Sequence, residues 1–133
     1  MTKAQRYFDL FKGFKGAHGQ TEVLDHQRHG KQKAKSFIVR EPLTLELVQG
    51  HLDGQQGIGS IPIDEDNSCS FGALDIDDYN LDLIALCKKS AKLKLPLTLC
   101  RSKSGGAHLY IFLSEKVPAV ELKDKLAEFA SAL

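Results

Sequence analysis

The chain has 133 residues, 42% of them hydrophobic, with 18 Lys and Arg against 17 Asp and Glu. This length and apolar fraction suit one ordinary globular domain. No stretch of about 18 apolar residues occurs, and the first residues lack the apolar core of a signal peptide, so we expect neither a membrane span nor secretion.

The three cysteines, Cys69, Cys87 and Cys100, are widely spaced and form no Cys-x-x-Cys motif. Their odd number and spacing argue against a disulfide framework or a zinc site, and favour reduced thiols in a cytoplasmic protein. Because Cys87 and Cys100 lie in apolar runs, we predict that both are small hydrophobic residues of the core.

Charge is strongly segregated along the sequence, although the net charge is only +1. Residues 1–40 carry nine Lys or Arg and three acids, residues 41–87 carry ten acids and no Lys or Arg, and residues 88–133 carry nine Lys or Arg and four acids. An acidic segment between basic ends suits a metal site for polyanionic substrates, since metal ions offset the carboxylates and the flanks attract phosphate. The alternative is that each charged run is only a solvated surface.

Hydrophobic spacing and turn residues predict the elements of the first half. In order, we predict a helix over 4–14, a basic loop or loose hairpin over 12–36, a strand at 37–39, a helix over 45–52 and a strand over 57–63. Thr44 is the expected N-cap of the second helix, since its hydroxyl can accept a hydrogen bond from the first turn.

The second half has a clearer pattern. We predict a buried strand over 69–76, a helix over 80–94 with Leu81, Ile84, Cys87 and Ala91 on its core face, strands over 97–100 and 108–113 paired as a hairpin, and an amphipathic helix over 119–133. The order β-α-β-β-α is that of a ferredoxin-like (RRM-like) palm without its last strand. The expected fold class is therefore α/β (α+β).

Asp75 and Asp77 stand at the carboxyl end of the predicted buried strand. Residues at i and i+2 of a strand point to the same face, so the two carboxylates would repel unless a cation lay between them. Mg²⁺ or Mn²⁺ is the expected cation, because both prefer hard oxygen ligands and substrate phosphates. The alternative is an acidic strand-to-helix turn with no ligand.

The turn from Arg101 to His108 joins the two strands of the predicted hairpin. It offers hydroxyls, flexible backbone N–H groups and cationic side chains, which together could cradle a triphosphate: Arg101, Ser102, Lys103, Ser104, Gly105, Gly106 and His108. The alternative is an ordinary hairpin turn followed by an ordinary histidine. The conjunction favours a site, since both features lie on neighbouring strands of one predicted sheet.

Several segments in order along the chain resemble the archaeo-eukaryotic primase superfamily, most closely the primase-polymerase domains of TOTE conflict systems. The matching segments cover about two-thirds of the chain: Pro42-Leu43-Thr44, His51-Leu52-x-Gly54, Ile58-Gly59-x-x-Pro62-Ile63, Gly72-Ala73-Leu74-Asp75-Ile76-Asp77-x-Tyr79, Leu95-Pro96-Leu97, Arg101-Ser102-Lys103-Ser104-Gly105-Gly106-Ala107-His108-Leu109-x-Ile111-Phe112 and Val117-Pro118-Ala119. The ordered set is specific, although each segment alone is not.

The resemblance implies a primase-type catalytic core and assigns roles to its matching residues. Asp75 and Asp77 would be the metal-binding carboxylates of the first motif. Ser104 and His108 would contact the phosphates of the incoming nucleotide, supported by Arg101, Lys103 and the Gly105-Gly106 backbone. His51 matches a family position, for which we infer only a structural or helix-end role.

The resemblance also implies a third metal-binding aspartate, on a strand beyond the helix that ends at Leu133. None of the acids after His108 fits that position, so we expect a single primase-type domain over 1–133 that is incomplete at its C-terminus. Within it, residues 1–63 would form an N-terminal α/β unit containing the basic loop 12–36. Residues 64–133 would form a partial RRM-like palm.

The function that these features imply is that of a DNA primase-polymerase: metal-dependent nucleotidyl transfer from nucleoside triphosphates on a DNA or RNA template. Activity of the chain alone is doubtful without the third aspartate. A helicase or nuclease encoded in the same protein or operon is the expected partner. The alternative is a non-catalytic nucleotide- or nucleic-acid-binding module of the same fold. An RRM-like RNA binder fits less well, because the ordered aromatic pattern of such domains is missing. A nucleotide cyclase also pairs carboxylates at a strand end, but the turn from Arg101 to His108 is not their usual partner.

Overall fold

The structure, a computed structural model, describes residues 1–26, 32–103 and 105–133. Over these residues the chain forms α1 Lys3–Leu10, β1 His18–His26, β2 Gln32–Val39, α2 Leu45–Leu52, β3 Gly57–Gly59, β4 Ser68–Ile76, α3 Leu83–Lys92, β5 Thr98–Arg101, β6 Ala107–Pro118 and α4 Ala119–Ala132. The fold is mixed α/β, with two small antiparallel sheets. In the described part of the chain, no helix has the length and apolar character needed to cross a membrane.

The chain divides into two compact units, Met1–Asp66 and Asn67–Leu133. This boundary lies three residues after the one expected from the sequence, between residues 63 and 64. Each unit contains one three-stranded sheet. The predicted metal and phosphate residues all belong to the second unit.

The first unit is built on the sheet β2-β1-β3, with α1 packed on α2. Residues 12–36, for which a loop or a loose hairpin was predicted, contain β1 and most of β2. The two strands pair antiparallel from His18 opposite Val39 to His26 opposite Gln32, with a register shift between Val23 and Asp25. The helix predicted over 4–14 ends earlier, at Leu10. The strand predicted over 57–63 spans only Gly57–Gly59.

Two polar residues of the first unit for which the sequence predicted a structural role are Thr44 and His51. Thr44 is the N-cap of α2, and its hydroxyl accepts a hydrogen bond from the Leu47 backbone N–H at 3.2 Å, as predicted. His51 lies at the end of the same helix, with Nδ1 3.0 Å from the backbone oxygen of Gln56. The helix-end role inferred for His51 is therefore confirmed.

The second unit is built on the antiparallel sheet β4-β6-β5, with β6 in the middle. This confirms the predicted order β-α-β-β-α and the predicted hairpin of β5 and β6. Because β4 and β5 both run antiparallel to β6, they are parallel to each other, and α3 makes the connection between them. Directly paired residues share a face of a sheet, so the register determines what each face carries.

One face of this sheet, here called the helix face, packs against α4. Ile111 and Cys69 form a buried cluster with Leu122 and Leu126 of that helix. Gly72 allows the close approach, since a Cβ there would lie 2.8 Å from Leu122 Cδ2. Burial of this apolar surface is the main stabilising contribution that the second unit offers.

The predicted core positions of Cys87 and Cys100 are wrong, because both thiols are exposed, whereas Cys69 is buried. Cys100 lies on β5, an edge strand with one sheet neighbour and mostly exposed side chains. Cys87 lies on α3, in which only Ser90 is buried and Ile84 is 68% exposed. The predicted core face of this helix is therefore wrong: Leu83, Leu86 and Ser90 are its less exposed residues, whereas Ile84, Cys87 and Ala91 are exposed.

Candidate functional site

The candidate site lies at the end of the β4-β6 pair, where Asp75 is directly opposite His108. Asp75 Oδ1 lies 3.3 Å from His108 Nε2, and the side chains are 61% and 41% exposed, respectively. A carboxylate and an imidazole are therefore in contact where a solvent-borne ligand can reach both. The face that carries them is here called the site face.

The chain turns tightly beside this contact, and two glycines make the turn possible. Gly105 has a φ of +95°, a conformation that residues with a Cβ rarely adopt. Gly106 is buried against β4, and a Cβ there would clash with the backbone oxygen of Ile76. The turn after β5 is thus held close to the end of the strand that carries Asp75.

The backbone of this turn is partly occupied by its own hydrogen bonds. The Ser102 N–H donates to the Gly106 oxygen at 3.0 Å, and the Gly105 N–H donates to the Ser102 oxygen at 3.2 Å. The prediction that flexible N–H groups cradle a triphosphate therefore does not hold for Ser102 and Gly105. Their N–H groups close the turn and are engaged within it.

The predicted phosphate-binding side chains are placed differently from one another. Lys103 is exposed at the tip of the turn, and the Ser102 side chain is half-buried. Arg101 pairs with Ala107, whereas Cys100 pairs with His108. Because side chains alternate between the two faces along a strand, Cys100 lies on the site face and Arg101 on the opposite face of the sheet. Ser104 lies outside the described residues.

The predicted metal ligands are only partly brought together. Asp75 belongs to β4, and Asp77 follows directly after the strand ends at Ile76, with its side chain exposed. Asp78 is engaged locally, since its Oδ1 accepts a hydrogen bond from the Asn80 N–H at 3.0 Å. Among the described residues there is no group of three or more His, Cys, Asp or Glu side chains placed to hold a metal ion.

Tyr110 is a further residue of the site, which the sequence analysis did not count among the metal- or phosphate-binding residues. Its hydroxyl lies 3.4 Å from Nδ1 of His108, the ring nitrogen that faces away from Asp75. The ring of Tyr110 stacks on Phe112, with centroids 5.8 Å apart and planes 19° apart. The sequence did carry a signal, because residues at i and i+2 of a strand share a face with the histidine.

His18, a further histidine of the first unit, serves the fold. His18 is 1% exposed, and its Nδ1 lies 2.7 Å from the Glu41 backbone oxygen. Its Nε2 lies 3.1 Å from the Gln20 side-chain amide. Since a backbone oxygen can only accept, Nδ1 carries the proton and Nε2 accepts from Gln20. Both ring nitrogens are satisfied internally.

Comparison with protein-family models gives a match over almost the whole chain. The model described as the archaeo-eukaryotic primase domain of the TOTE conflict system matches residues 3–131. A search of curated proteins finds no match. The family match covers both units, including Asp75, Asp77 and the turn that leads to His108.

Proposed function

Since the chain belongs to the archaeo-eukaryotic primase domain family of TOTE conflict systems, we propose that it is a primase-polymerase domain of DNA replication. It would transfer nucleotidyl groups from nucleoside triphosphates onto a nucleic-acid chain opposite a DNA or RNA template. The observation that carries this proposal is the contact of Asp75 with His108 across adjacent strands at 3.3 Å. It joins the carboxylate motif to the phosphate-binding turn in one place.

The topology of the second unit supports a palm of the RRM-like type. In the sheet β4-β6-β5, the two outer strands, β4 and β5, are connected through α3, and α4 packs on one face of the sheet. The element order β-α-β-β-α agrees with the first five elements of a ferredoxin-like β-α-β-β-α-β unit, which supports the proposal. The face opposite α4 would then be the catalytic face, and it carries Asp75 and His108.

The donor set fits Mg²⁺ or Mn²⁺. Asp75 and Asp77 offer hard carboxylate oxygens at exposed positions, and Mg²⁺ is commonly bound by one or two carboxylates together with waters and substrate phosphates. When bound, the ion would neutralise phosphate charge and align the attacking and leaving oxygens. Asp75 and Asp77 are the residues that we propose hold it.

The chain's own residues would bind and orient the triphosphate. His108 Nε2, which lies 3.3 Å from Asp75 Oδ1, would carry a proton and donate it in a hydrogen bond to a phosphate oxygen. Lys103 and the Ser102 hydroxyl would add donors from the turn. Ser104 would join them, as the family resemblance implies.

The proposed macromolecular partners follow from the same chemistry. A single-stranded template would meet basic side chains such as Lys12, Lys15 and Lys35 of the first unit, since phosphate neutralisation supplies most non-specific affinity for nucleic acid. A helicase or nuclease acting on the same template is the proposed protein partner. The exposed thiols of Cys87 and Cys100 suit a reducing compartment such as the cytoplasm.

Asp75→Asn tests the metal-dependent part of the proposal. We expect Mn²⁺ to strengthen nucleoside triphosphate binding to the wild type, measured by titration calorimetry, and to have no such effect on Asp75→Asn. Any template-directed incorporation by the wild type should be absent from the variant. Asp124→Asn removes an equally exposed carboxylate on α4 and should behave as the wild type. An Mn²⁺ effect of the same size in Asp75→Asn would contradict the proposal.

Nucleotide binding without turnover is the second candidate. The observation in its favour is that, among the described residues, no group of three or more His, Cys, Asp or Glu side chains is placed to hold a metal ion. In this case, triphosphate affinity would be independent of Mn²⁺ and would survive substitution of both Asp75 and Asp77 by alanine. It would still fall in His108→Ala.

A further inference from the structure

The geometry points to a positioning role for Tyr110: we propose that its hydroxyl holds the His108 imidazole so that the Nε2 proton faces the ligand. The proposal deepens the proposed function, on which its phosphate-binding consequence rests. It assigns Tyr110 no direct contact with substrate. The residue would act through His108 alone.

The first step is the alignment of three side chains along the site face. His108 lies between Asp75, its partner on β4, and Tyr110, two residues further along β6. Asp75 Oδ1 is 3.3 Å from Nε2, and the Tyr110 hydroxyl is 3.4 Å from Nδ1. Both ring nitrogens of His108 therefore have a polar neighbour, one on each side.

The second step is the location of the ring proton. An ionised carboxylate can only accept a hydrogen bond, so the Asp75 oxygen 3.3 Å from Nε2 favours a proton on that nitrogen. In the neutral imidazole the other nitrogen is then an acceptor, and Nδ1 accepts from the Tyr110 O–H. The two neighbours thus favour the same tautomer, with the proton on Nε2.

The third step is what fixes the Tyr110 hydroxyl. The Tyr110 ring stacks on Phe112, and Phe112 in turn lies 6.5 Å, centroid to centroid, from the ring of Phe71, which is 5% exposed. Aromatic pairs at these separations contribute beyond their buried area. Opposite Tyr110 stands Ala73, whose small side chain leaves room for the phenol ring. The hydroxyl is therefore carried by a ring that is itself packed.

The consequence for ligand binding is directional. A phosphate oxygen needs a donor, and an imidazole with its proton on Nε2 presents that donor on the same side as Asp75. Without the hydroxyl, the other tautomer and a flipped ring would become accessible. Since 3.4 Å is long for a hydroxyl hydrogen bond, we expect a loss of about two- to fivefold in triphosphate affinity when it is removed.

Tyr110→Phe tests the role, because it keeps the stack on Phe112 and removes only the hydroxyl. The direct readout is the ¹⁵N spectrum of ring-labelled histidine at about pH 9, where an ordinary imidazole is neutral. The His108 signals are identified by their loss in His108→Gln. We expect the Nε2–H tautomer in the wild type and a mixture of tautomers in Tyr110→Phe. Tyr7→Phe, which removes the hydroxyl of a tyrosine on α1, should leave the His108 signals unchanged.

The outcomes separate this role from the proposed function. A wild-type His108 with its proton on Nδ1 overturns the positioning role without any variant, as do His108 signals that are identical in Tyr110→Phe. If the tautomer shifts as expected but the wild type binds no triphosphate, the positioning role stands and the proposed function fails. If the wild type binds triphosphate but the His108 tautomer is the same in Tyr110→Phe, the proposed function stands and the positioning role fails.

Discussion

The two faces of the β4-β6-β5 sheet differ in what their residues do. On β6, Leu109 and Ile111 are 0% and 6% exposed and belong to the helix face. His108 and Tyr110 alternate with them and belong to the site face, where His108 meets Asp75. One strand therefore supplies both the core and the chemistry, and adjacent residues have different tasks. A shift of one position along β6 should change a substitution's effect from stability to binding.

Of the substitutions proposed here, Leu109→Ala should have the largest effect, and that effect should be on stability. Leu109 is fully buried and pairs with both Leu74 and Leu99, so truncation leaves a cavity in the middle of the sheet. We expect a loss of about 2–5 kcal/mol in the free energy of unfolding, measured by urea denaturation. The matched control is Leu93→Ala at the exposed end of α3, which should change stability by less than about 0.5 kcal/mol. Equal losses in the two variants would contradict the contrast between core and surface.

The thiols offer a comparison of the two faces without perturbing the core. Cys69 lies in the helix-face cluster, 4% exposed, and burial raises the pKa of its thiol, so less thiolate is present at any given pH. Cys100 lies opposite His108, and Cys87 is exposed on α3. With a disulfide reagent at pH 8, we expect two thiols to react at least about a hundredfold faster than the third.

Single Cys→Ser variants show which thiol gives each fast or slow reaction. Cys87→Ser and Cys100→Ser should each remove one fast thiol, and Cys69→Ser should remove the slow one. A nucleoside triphosphate should slow Cys100, which shares the site face, and leave Cys87 unaffected. Three equal rates would show that Cys69 is not protected by the helix face.

The sequence predicted most of the second unit because its signals are local. Three local patterns each define one element: the apolar run of β4, the glycine turn, and the three- and four-residue spacing of α4. In the first unit, the N-cap Thr44 of α2 is likewise a local signal. Asp75 and His108 were expected to be close because they lie on strands that must pair. Their direct opposition in the register is what brings them into contact.

The errors of the sequence analysis come from non-local properties. Cys100 is apolar in context but lies on an edge strand, and edge position depends on which strand pairs with which. For residues 12–36 the sequence left a loop and a loose hairpin open, and the antiparallel pairing of β1 with β2 agrees with the second, although hydrophobic alternation hardly marks these polar strands. The turn N–H groups of Ser102 and Gly105 were expected to bind phosphate, but their engagement within the turn depends on backbone geometry that composition does not encode.

The most direct test of the account is triphosphate affinity in His108→Ala. The substitution removes a half-exposed imidazole from the site face, so we expect stability to change by less than about 1 kcal/mol. Affinity for a nucleoside triphosphate, measured by titration calorimetry, should fall about tenfold through loss of a charge-assisted hydrogen bond. Glu115→Ala, at an exposed position on the same strand, should bind as the wild type does. Unchanged affinity in His108→Ala would contradict the assignment of this face as the nucleotide site.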